Sequence, residues 1–354
     1  MGHQRTTYTK ELARLKKGVA IAWWINFLTL FLTIEAAIVL IAYDRDMKIG
    51  SFLLFSSLVS LVIAALSVSI ISMRSSRIMM GAAGKNLKRV ESGVVYNVVN
   101  EMAIASRVPV PEVYIAINSG VANAYVVADK KTSRLVITDG LLSLLTRTEL
   151  QGVVAHEIGH LSSGDSQEMT KLTAMTSTTA LIAGTMTRMG GGRRGRSNNS
   201  SSSNNNGILE LILLVVSLLF LIAAPFLAKI AESFASRERE SEADALSVKY
   251  TRNPSALANA LYKLSDNDKK IDQQAATAFG RKAGEVAFYA PHFKGASTFA
   301  THPPLEQRIE TLEKMGATIN KEDSPTLTMK SRIETSEPAS SRPSLKRGIP
   351  HRFR

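Results

Sequence analysis

Two long apolar runs near the N-terminus constrain the fold of this chain more than any other feature. One extends from Val19 to Tyr43 and the other from Ser51 to Met73. Each is long enough to cross about 30 Å of hydrocarbon, since a helix rises about 1.5 Å per residue. Only residues 44–50 connect them, so the pattern predicts a transmembrane hairpin.

Basic residues flank this hairpin on its two outer sides. Residues 1–18 hold five Lys or Arg and one acid, and residues 74–89 hold five more Lys or Arg and no acid. The link between the runs carries two charges of each sign. By the positive-inside rule both outer ends lie in the cytoplasm. We therefore expect a multi-pass protein of the inner (plasma) membrane.

Glu35 lies inside the first apolar run and has two interpretations. A carboxylate within a membrane span is a candidate for a proton or substrate path. Alternatively, it packs against the neighbouring helix or reaches polar groups near the outer interface. The second run contains no basic residue to pair with Glu35, which favours the packing interpretation.

Beyond this hairpin, the chain is predicted to form a soluble body in two halves, which a second hydrophobic hairpin separates. The segments expected from composition are a basic N-terminal segment 1–18, the transmembrane hairpin 19–73, a first catalytic half 74–170, a second hydrophobic hairpin 171–235, a second catalytic half 236–319 and a disordered basic tail 320–354. Short runs rich in β-forming residues at 113–117, 124–128 and 135–138 predict a small sheet in the first half.

The second hydrophobic hairpin leaves its topology open. Its first run, Leu172–Thr187, is rich in threonine, whereas its second, Ile208–Ala228, is strongly apolar. The low-complexity loop 188–207 between them, predicted to be disordered, carries four Arg and no acid. Either both runs span the membrane, or a shallow re-entrant hairpin keeps this basic loop in the cytoplasm. Both alternatives give an even number of crossings.

The basic tail offers no sign of a nucleic-acid partner. From Lys330 onward it holds seven Lys or Arg against two Glu. The aromatic–basic interleaving typical of single-strand binding is absent, so no nucleic acid is expected. The tail is either a flexible extension or is attracted to anionic lipid headgroups.

The stretch His156-Glu157-Ile158-Gly159-His160 carries the chemistry. A capping box, Thr146 with Glu149, predicts the start of its helix. Histidines four residues apart share one helix face and can hold one metal ion, with Glu157 beside the open coordination position. The chain has no cysteine, so every metal ligand must be His, Asp or Glu.

A catalytic zinc site takes three protein ligands, and two histidines leave one to be found. The extended pattern with a third histidine is absent, because position 166 is Ser. A second predicted helix contains Glu240 and Asp244, four residues apart. One of them could bind the metal while the other orients a histidine through its free ring N–H. The alternative is a solvated acidic helix face.

Further motifs surround this pattern in a fixed order. They are Pro111-Glu112-Val113, Asn123-Ala124-Tyr125, Thr138-Asp139-Gly140-Leu141-Leu142, Gly164-Asp165, Ser236-Arg237-x-Arg239-Glu240-x-x-Ala243-Asp244 and Thr301-His302-Pro303-Pro304-x-x-x-Arg308-Ile309. With them, most of residues 19–315 resembles the HtpX-type integral-membrane zinc metalloproteases, relatives of the CaaX prenyl-protein endopeptidases. The loop 188–207 and the tail after 319 depart from that pattern.

The resemblance implies the fold and the site. The fold would be that of an α+β membrane protein, with a mainly α-helical zincin-type (gluzincin-like) catalytic domain, a small β-sheet and transmembrane helices. One Zn²⁺ per chain would be held by His156, His160 and Glu240. Glu157 would be the general base, and Asp244 would support a zinc ligand. His302 and Arg308 would lie near the scissile carbonyl.

The implied activity is zinc-dependent hydrolysis of peptide bonds on the cytoplasmic face. Its substrates would be damaged or misassembled membrane proteins under stress, bound extended along the 124–128 strand. Two alternatives stay open. A CaaX-type processing protease would need a larger intramembrane chamber built from more spans. A membrane scaffold with a structural zinc would not need Glu157, which is not a ligand.

Overall fold

In the computed structural model, the described residues are 2–44, 49–82, 86–117, 122–193, 205–234, 237–277 and 305–320. Their secondary structure comprises helices α1 (Gly2–Asp44), α2 (Ile49–Met73) and α3 (Ser75–Ala82), strand β1 (Leu87–Val90), helix α4 (Val94–Ser106), strands β2 (Glu112–Ala116), β3 (Ala124–Ala128) and β4 (Ser133–Thr138), and helices α5 (Asp139–Leu144), α6 (Arg147–Ser162), α7 (Ser166–Arg193), α8 (Asn205–Phe234), α9 (Arg237–Thr251), α10 (Pro254–Thr277) and α11 (Leu305–Lys314). The predicted class, a mainly helical protein with a small sheet and membrane-spanning helices, is confirmed.

Helices α1, α2, α7 and α8 pack together as a bundle. Three of these described helices are long and apolar enough to cross a membrane, over Leu12–Ile41, Phe55–Met73 and Leu211–Ala231. Helix α7 does not meet that criterion because threonines lower its hydropathy. It nevertheless contributes Leu172 and Met175 to the buried core of the bundle. Hydropathy therefore marks three spans in the described part of the chain, where the sequence predicts an even number.

The loop predicted to be disordered, 188–207, is partly helical. Helix α7 continues through Arg193 and α8 begins at Asn205, while residues 194–204 lie outside the described part. Within α7, Thr176 and Thr178 donate hydrogen bonds to carbonyls four residues earlier in the same helix. These bonds satisfy the hydroxyl groups within the helix.

A four-stranded mixed sheet with strand order β1-β2-β4-β3 lies in the soluble body. Strand β2 pairs parallel to β4, with Val113 opposite Leu135, and β3 pairs antiparallel to β4. The predicted strands agree with β2, β3 and β4 within two residues. Strand β1 is not predicted from the sequence, because it has only four residues and two of them, Lys88 and Arg89, are exposed.

Helix α6 runs through the centre of the soluble body, between α4, α9, α10 and β3. It begins with the predicted capping box, in which Thr146 and Glu149 exchange bonds with each other's backbone N–H. Gly152 allows α10 to approach, since a Cβ there would lie 2.5 Å from the Leu257 nitrogen. Close packing on all sides holds the helix, and the site it carries, in place.

Candidate metal centre

Helix α6 presents His156 and His160 one turn apart. Their ring centroids are 4.9 Å from each other and the rings are nearly perpendicular. His156 is buried and His160 is half-buried. The pair is therefore accessible from the His160 side, as a site that receives a substrate must be.

Helix α9 packs against α6 and brings Glu240 to both histidines. Glu240 Oε2 lies 3.5 Å from His156 Nε2, and its Oε1 lies 3.5 Å from His160 Nε2. One atom from each of the three side chains lies within 4.8 Å of the others. Two imidazole nitrogens and a carboxylate oxygen are a donor set that suits zinc, so these residues fit a single metal ion.

Asp244, one turn after Glu240, supports His156 from behind. His156 Nδ1 lies 2.8 Å from Asp244 Oδ1, at hydrogen-bond distance. Arg308 of α11 grips the same carboxylate in a two-pronged contact, donating from Nε to Oδ2 at 2.9 Å and from Nη2 to Oδ1 at 2.6 Å. Burial raises the pKa of Asp244, but the hydrogen bonds and charges of His156 and Arg308 lower it by more. The result is a pKa of about 2.

The surrounding charges also act on the histidine. Burial and the charge of Arg308 lower the pKa of His156, whereas hydrogen bonds to Asp244 and Glu240 raise it by more, to about 9. Only a neutral imidazole can be a metal ligand, so metal binding at His156 would compete with the protonation that these carboxylates favour.

His160 faces a second aspartate. Its Nδ1 lies 3.7 Å from Asp165 Oδ2, which is longer than a hydrogen bond. Arg239 of α9 binds that same oxygen from Nε and from Nη2, both at 2.6 Å. Burial raises the pKa of Asp165, but the contacts with His160 and Arg239 lower it below its usual range.

The remaining residues singled out in the sequence are placed differently. Glu157 is buried in α6, at 8% exposure, and its charge helps to raise the pKa of Arg308, which burial alone would lower. His302 lies outside the described residues. Arg308 is 4% exposed and binds Asp244, and its implied place near the scissile carbonyl stays a prediction.

Asp165 and Arg239 both belong to motifs that the sequence shows, but the sequence pattern assigned neither residue a role. Their positions could have indicated a role, since an acid directly after Gly164 and an arginine directly before Glu240 both lie close to the candidate ligands in the chain. Nothing in the spacing indicates that they pair with each other across 74 residues.

Comparisons with known proteins identify a peptidase family. Residues 90–316 match the model of peptidase family M48. The chain is 34% identical over 301 residues to a "Protease HtpX homolog" of Listeria monocytogenes serotype 4b (strain CLIP80459), covering 82% of this chain and 94% of the relative. It is also 34% identical to a "Protease HtpX homolog" of Streptococcus pneumoniae (strain Hungary19A-6), covering 82% and 96%.

Among solved structures, the "Crystal Structure of S. mikatae Ste24p" aligns with a TM-score of 0.38 and 20% sequence identity. The alignment covers 83% of this chain, which spans 63% of that longer protein.

Proposed function

The chain belongs to peptidase family M48 and is a membrane metalloprotease, and from that premise we propose a zinc-dependent endopeptidase that degrades damaged or misassembled membrane proteins. The observation that carries the proposal is the convergence of His156, His160 and Glu240 from two helices, next to the buried Glu157. A scaffold with a structural metal would have no use for that glutamate.

In this proposal His156, His160 and Glu240 hold one Zn²⁺, and Asp244 keeps the His156 ring oriented through its Nδ1–H. When bound, zinc supplies a Lewis acid that lowers the pKa of water and polarises a carbonyl oxygen. Arg308 holds Asp244 in place, and the three protein ligands leave a fourth position for substrate or water.

Glu157 is the proposed general base. Its carboxylate accepts a proton from the attacking water and later delivers it to the leaving amine of the cleaved peptide bond. His302 stays a candidate for contact with the oxyanion, on the strength of its place in the Thr301–Ile309 motif.

The substrate is proposed to bind as an added strand along β3. Strand β3 lies at the edge of the sheet, bonded to β4 on one side, and α6 packs near it. The Ala128 N–H is already bonded to Thr170 Oγ1, so a peptide would pair with the residues before it. Recognition through backbone hydrogen bonds tolerates varied side chains, which suits removal of many damaged proteins.

We place the catalytic centre on the cytoplasmic side and propose that α7 crosses the membrane with α8. These helices pack on each other. The start of α7 follows α6, which carries the two histidines, and the end of α8 leads into α9, which carries Glu240. If α8 crosses, α7 must return. Although α7 is not apolar, Asn26 of α1 accepts a hydrogen bond from Thr179 at 2.5 Å, and such contacts shield its polar groups from lipid.

Topology can be tested cleanly because the chain contains no cysteine. A single cysteine replacing Ser200 should react with a membrane-impermeant maleimide added to intact cells, whereas a cysteine replacing Ser163, beside the centre, should react only in inverted vesicles. Protection of the first site in intact cells, with labelling in inverted vesicles, would contradict the crossing of α7.

The catalytic proposal is tested by Glu157→Gln. The amide has nearly the same shape but cannot accept a proton at pH 7. We therefore expect wild-type zinc content, and a loss of casein hydrolysis of about 10²–10⁴-fold. His156→Ala should lose zinc and activity together, and a chelator should abolish wild-type activity. Wild-type turnover by Glu157→Gln would exclude this residue as the base.

A further inference from the structure

Both candidate histidine ligands are backed by the same kind of unit. His156 turns Nε2 toward Glu240 and Nδ1 toward Asp244, which is gripped by Arg308. His160 likewise turns Nε2 toward Glu240 and Nδ1 toward an aspartate, Asp165, which is gripped by Arg239. A histidine that gives one ring nitrogen to a metal usually donates the other N–H to a carboxylate or carbonyl, which fixes the ring.

The second unit differs from the first in two respects. His160 Nδ1 lies 3.7 Å from Asp165 Oδ2, whereas His156 Nδ1 lies 2.8 Å from Asp244 Oδ1. Both nitrogens of Arg239 bind the same oxygen, Oδ2 of Asp165, whereas Arg308 takes one oxygen of Asp244 with each nitrogen. Asp165 Oδ1 is buried without a hydrogen-bond partner among the described residues. A carboxylate whose purpose was only to bind arginine would be expected to use both oxygens, as paired forks do.

The pair also occupies a special place in the chain. Asp165 immediately precedes α7, and Arg239 lies in the first turn of α9, just after α8. Their contact therefore closes the base of the α7–α8 excursion, 74 residues long. At 5% and 8% exposure, the contact is shielded from water, where an ion pair holds its geometry better than at a surface.

The two residues are also neighbours of the candidate ligands. Arg239 is adjacent to Glu240 in sequence, and Asp165 faces His160. A change in the separation of the two membrane helices at their base would thus displace Glu240 relative to His160. The buried ion pair is one of the contacts that oppose such a displacement.

We propose that Asp165, held by Arg239, is a positioning residue for His160, and that this pair fixes the base of the α7–α8 hairpin to the metal centre. The inference rests on the zinc role proposed above. It assigns to the second histidine the support that Asp244 and Arg308 give to the first.

The test measures metal binding by the full chain in detergent, with a competing chelator, for wild type and three variants. Asp165→Asn keeps the shape but removes the charge, and should raise the zinc Kd about 10–100-fold. Because this variant leaves the Arg239 guanidinium facing a neutral amide, the double variant Asp165→Asn with Arg239→Gln provides a second form without that buried charge. It should show the same weakening.

The matched control is Glu149→Gln. Glu149, like Asp165, is buried and ion-paired, in its case with Lys263 at 3.0 Å. It lies at the opposite end of α6 from His160. This variant should destabilise the protein and leave the zinc Kd within twofold of wild type. The absorption spectrum of the cobalt-loaded protein should shift in both Asp165 variants and not in the control, since the d–d bands of cobalt respond to the geometry of its ligands.

Two results would overturn the inference, and they differ. If both Asp165 variants bind zinc within twofold of wild type with an unchanged cobalt spectrum, the pair is only a structural contact, and the proposed zinc site stands. If the wild-type protein itself binds no zinc in the same titration, the proposed function is wrong and the inference is wrong with it.

Discussion

Carboxylates face different kinds of partner in two regions of this protein, the metal centre and the α1–α2 hairpin. In the metal centre, Asp244 and Asp165 face arginines and histidines. In the α1–α2 hairpin, Glu35 accepts hydrogen bonds from the hydroxyls of Ser56 and Ser57 at 3.0 Å and of Ser60 at 2.8 Å.

The difference separates a site that can exchange charge from one that joins two helices. Around Glu240, arginines and histidines face a concentration of negative charge, and a metal ion can take part in balancing it. Around Glu35, three neutral hydroxyls from one neighbouring helix engage both oxygens, as polar groups do when they join helices in a membrane. These contacts support the packing interpretation of Glu35 rather than a substrate path.

The largest effect that sharpens this contrast is expected from Glu240→Ala. Removal of a carboxylate that faces both histidines should lower zinc affinity by more than the roughly 10–100-fold typical of residues that only orient a ligand. Glu242→Ala, an exposed neighbour two positions later on α9, is the matched control and should bind zinc normally. Stoichiometric zinc in purified Glu240→Ala protein would remove this residue from the ligand set.

A smaller effect, on stability, is expected from Arg308→Met. Breaking a buried ion pair leaves a charge without compensation, which typically costs about 3–5 kcal/mol. We expect the lower end, about 3 kcal/mol in the free energy of unfolding of the zinc-free protein, because His156 still faces Asp244.

The control for this change is Arg134→Met in the sheet. Arg134 pairs with Glu112 at 3.1 Å but is 21% exposed, so the loss should be about 1 kcal/mol or less. Equal losses for the two arginines, measured by denaturant unfolding in the same detergent, would mean that burial does not strengthen the pair at the centre.

The smallest effects are expected in the membrane hairpin. Ser60→Ala removes one of the hydroxyls bonded to Glu35, and interhelical hydrogen bonds in membranes contribute about 0.6 kcal/mol on average. Ser69→Ala on the same helix is the control.

Glu35→Gln should leave zinc affinity and proteolysis unchanged. A loss of proteolysis in this variant with normal zinc content would restore the substrate-path interpretation.

Local pattern was sufficient wherever one element carries the information. The hairpin over 19–73, the capping box of Thr146 and Glu149, and the spacing of His156 and His160 all follow from the repeat of a single helix. Strands β2, β3 and β4 were likewise readable from short runs of β-forming residues. The tertiary structure was needed for α7, because the run Leu172–Thr187 left spanning and re-entrant arrangements open, and its packing against α1, α2 and α8 is visible only in the fold.

The sequence alone determined which residue types could hold a metal and, through helical periodicity, that His156 and His160 share one face. Only the tertiary structure decided which acids meet those histidines. Glu240 reaches both rings, Arg308 binds Asp244 through two nitrogens, and Arg239 binds Asp165 across 74 residues. The physical reason is that such pairings depend on how α9 and α11 pack against the soluble body, and packing between distant segments leaves no periodic trace along the chain.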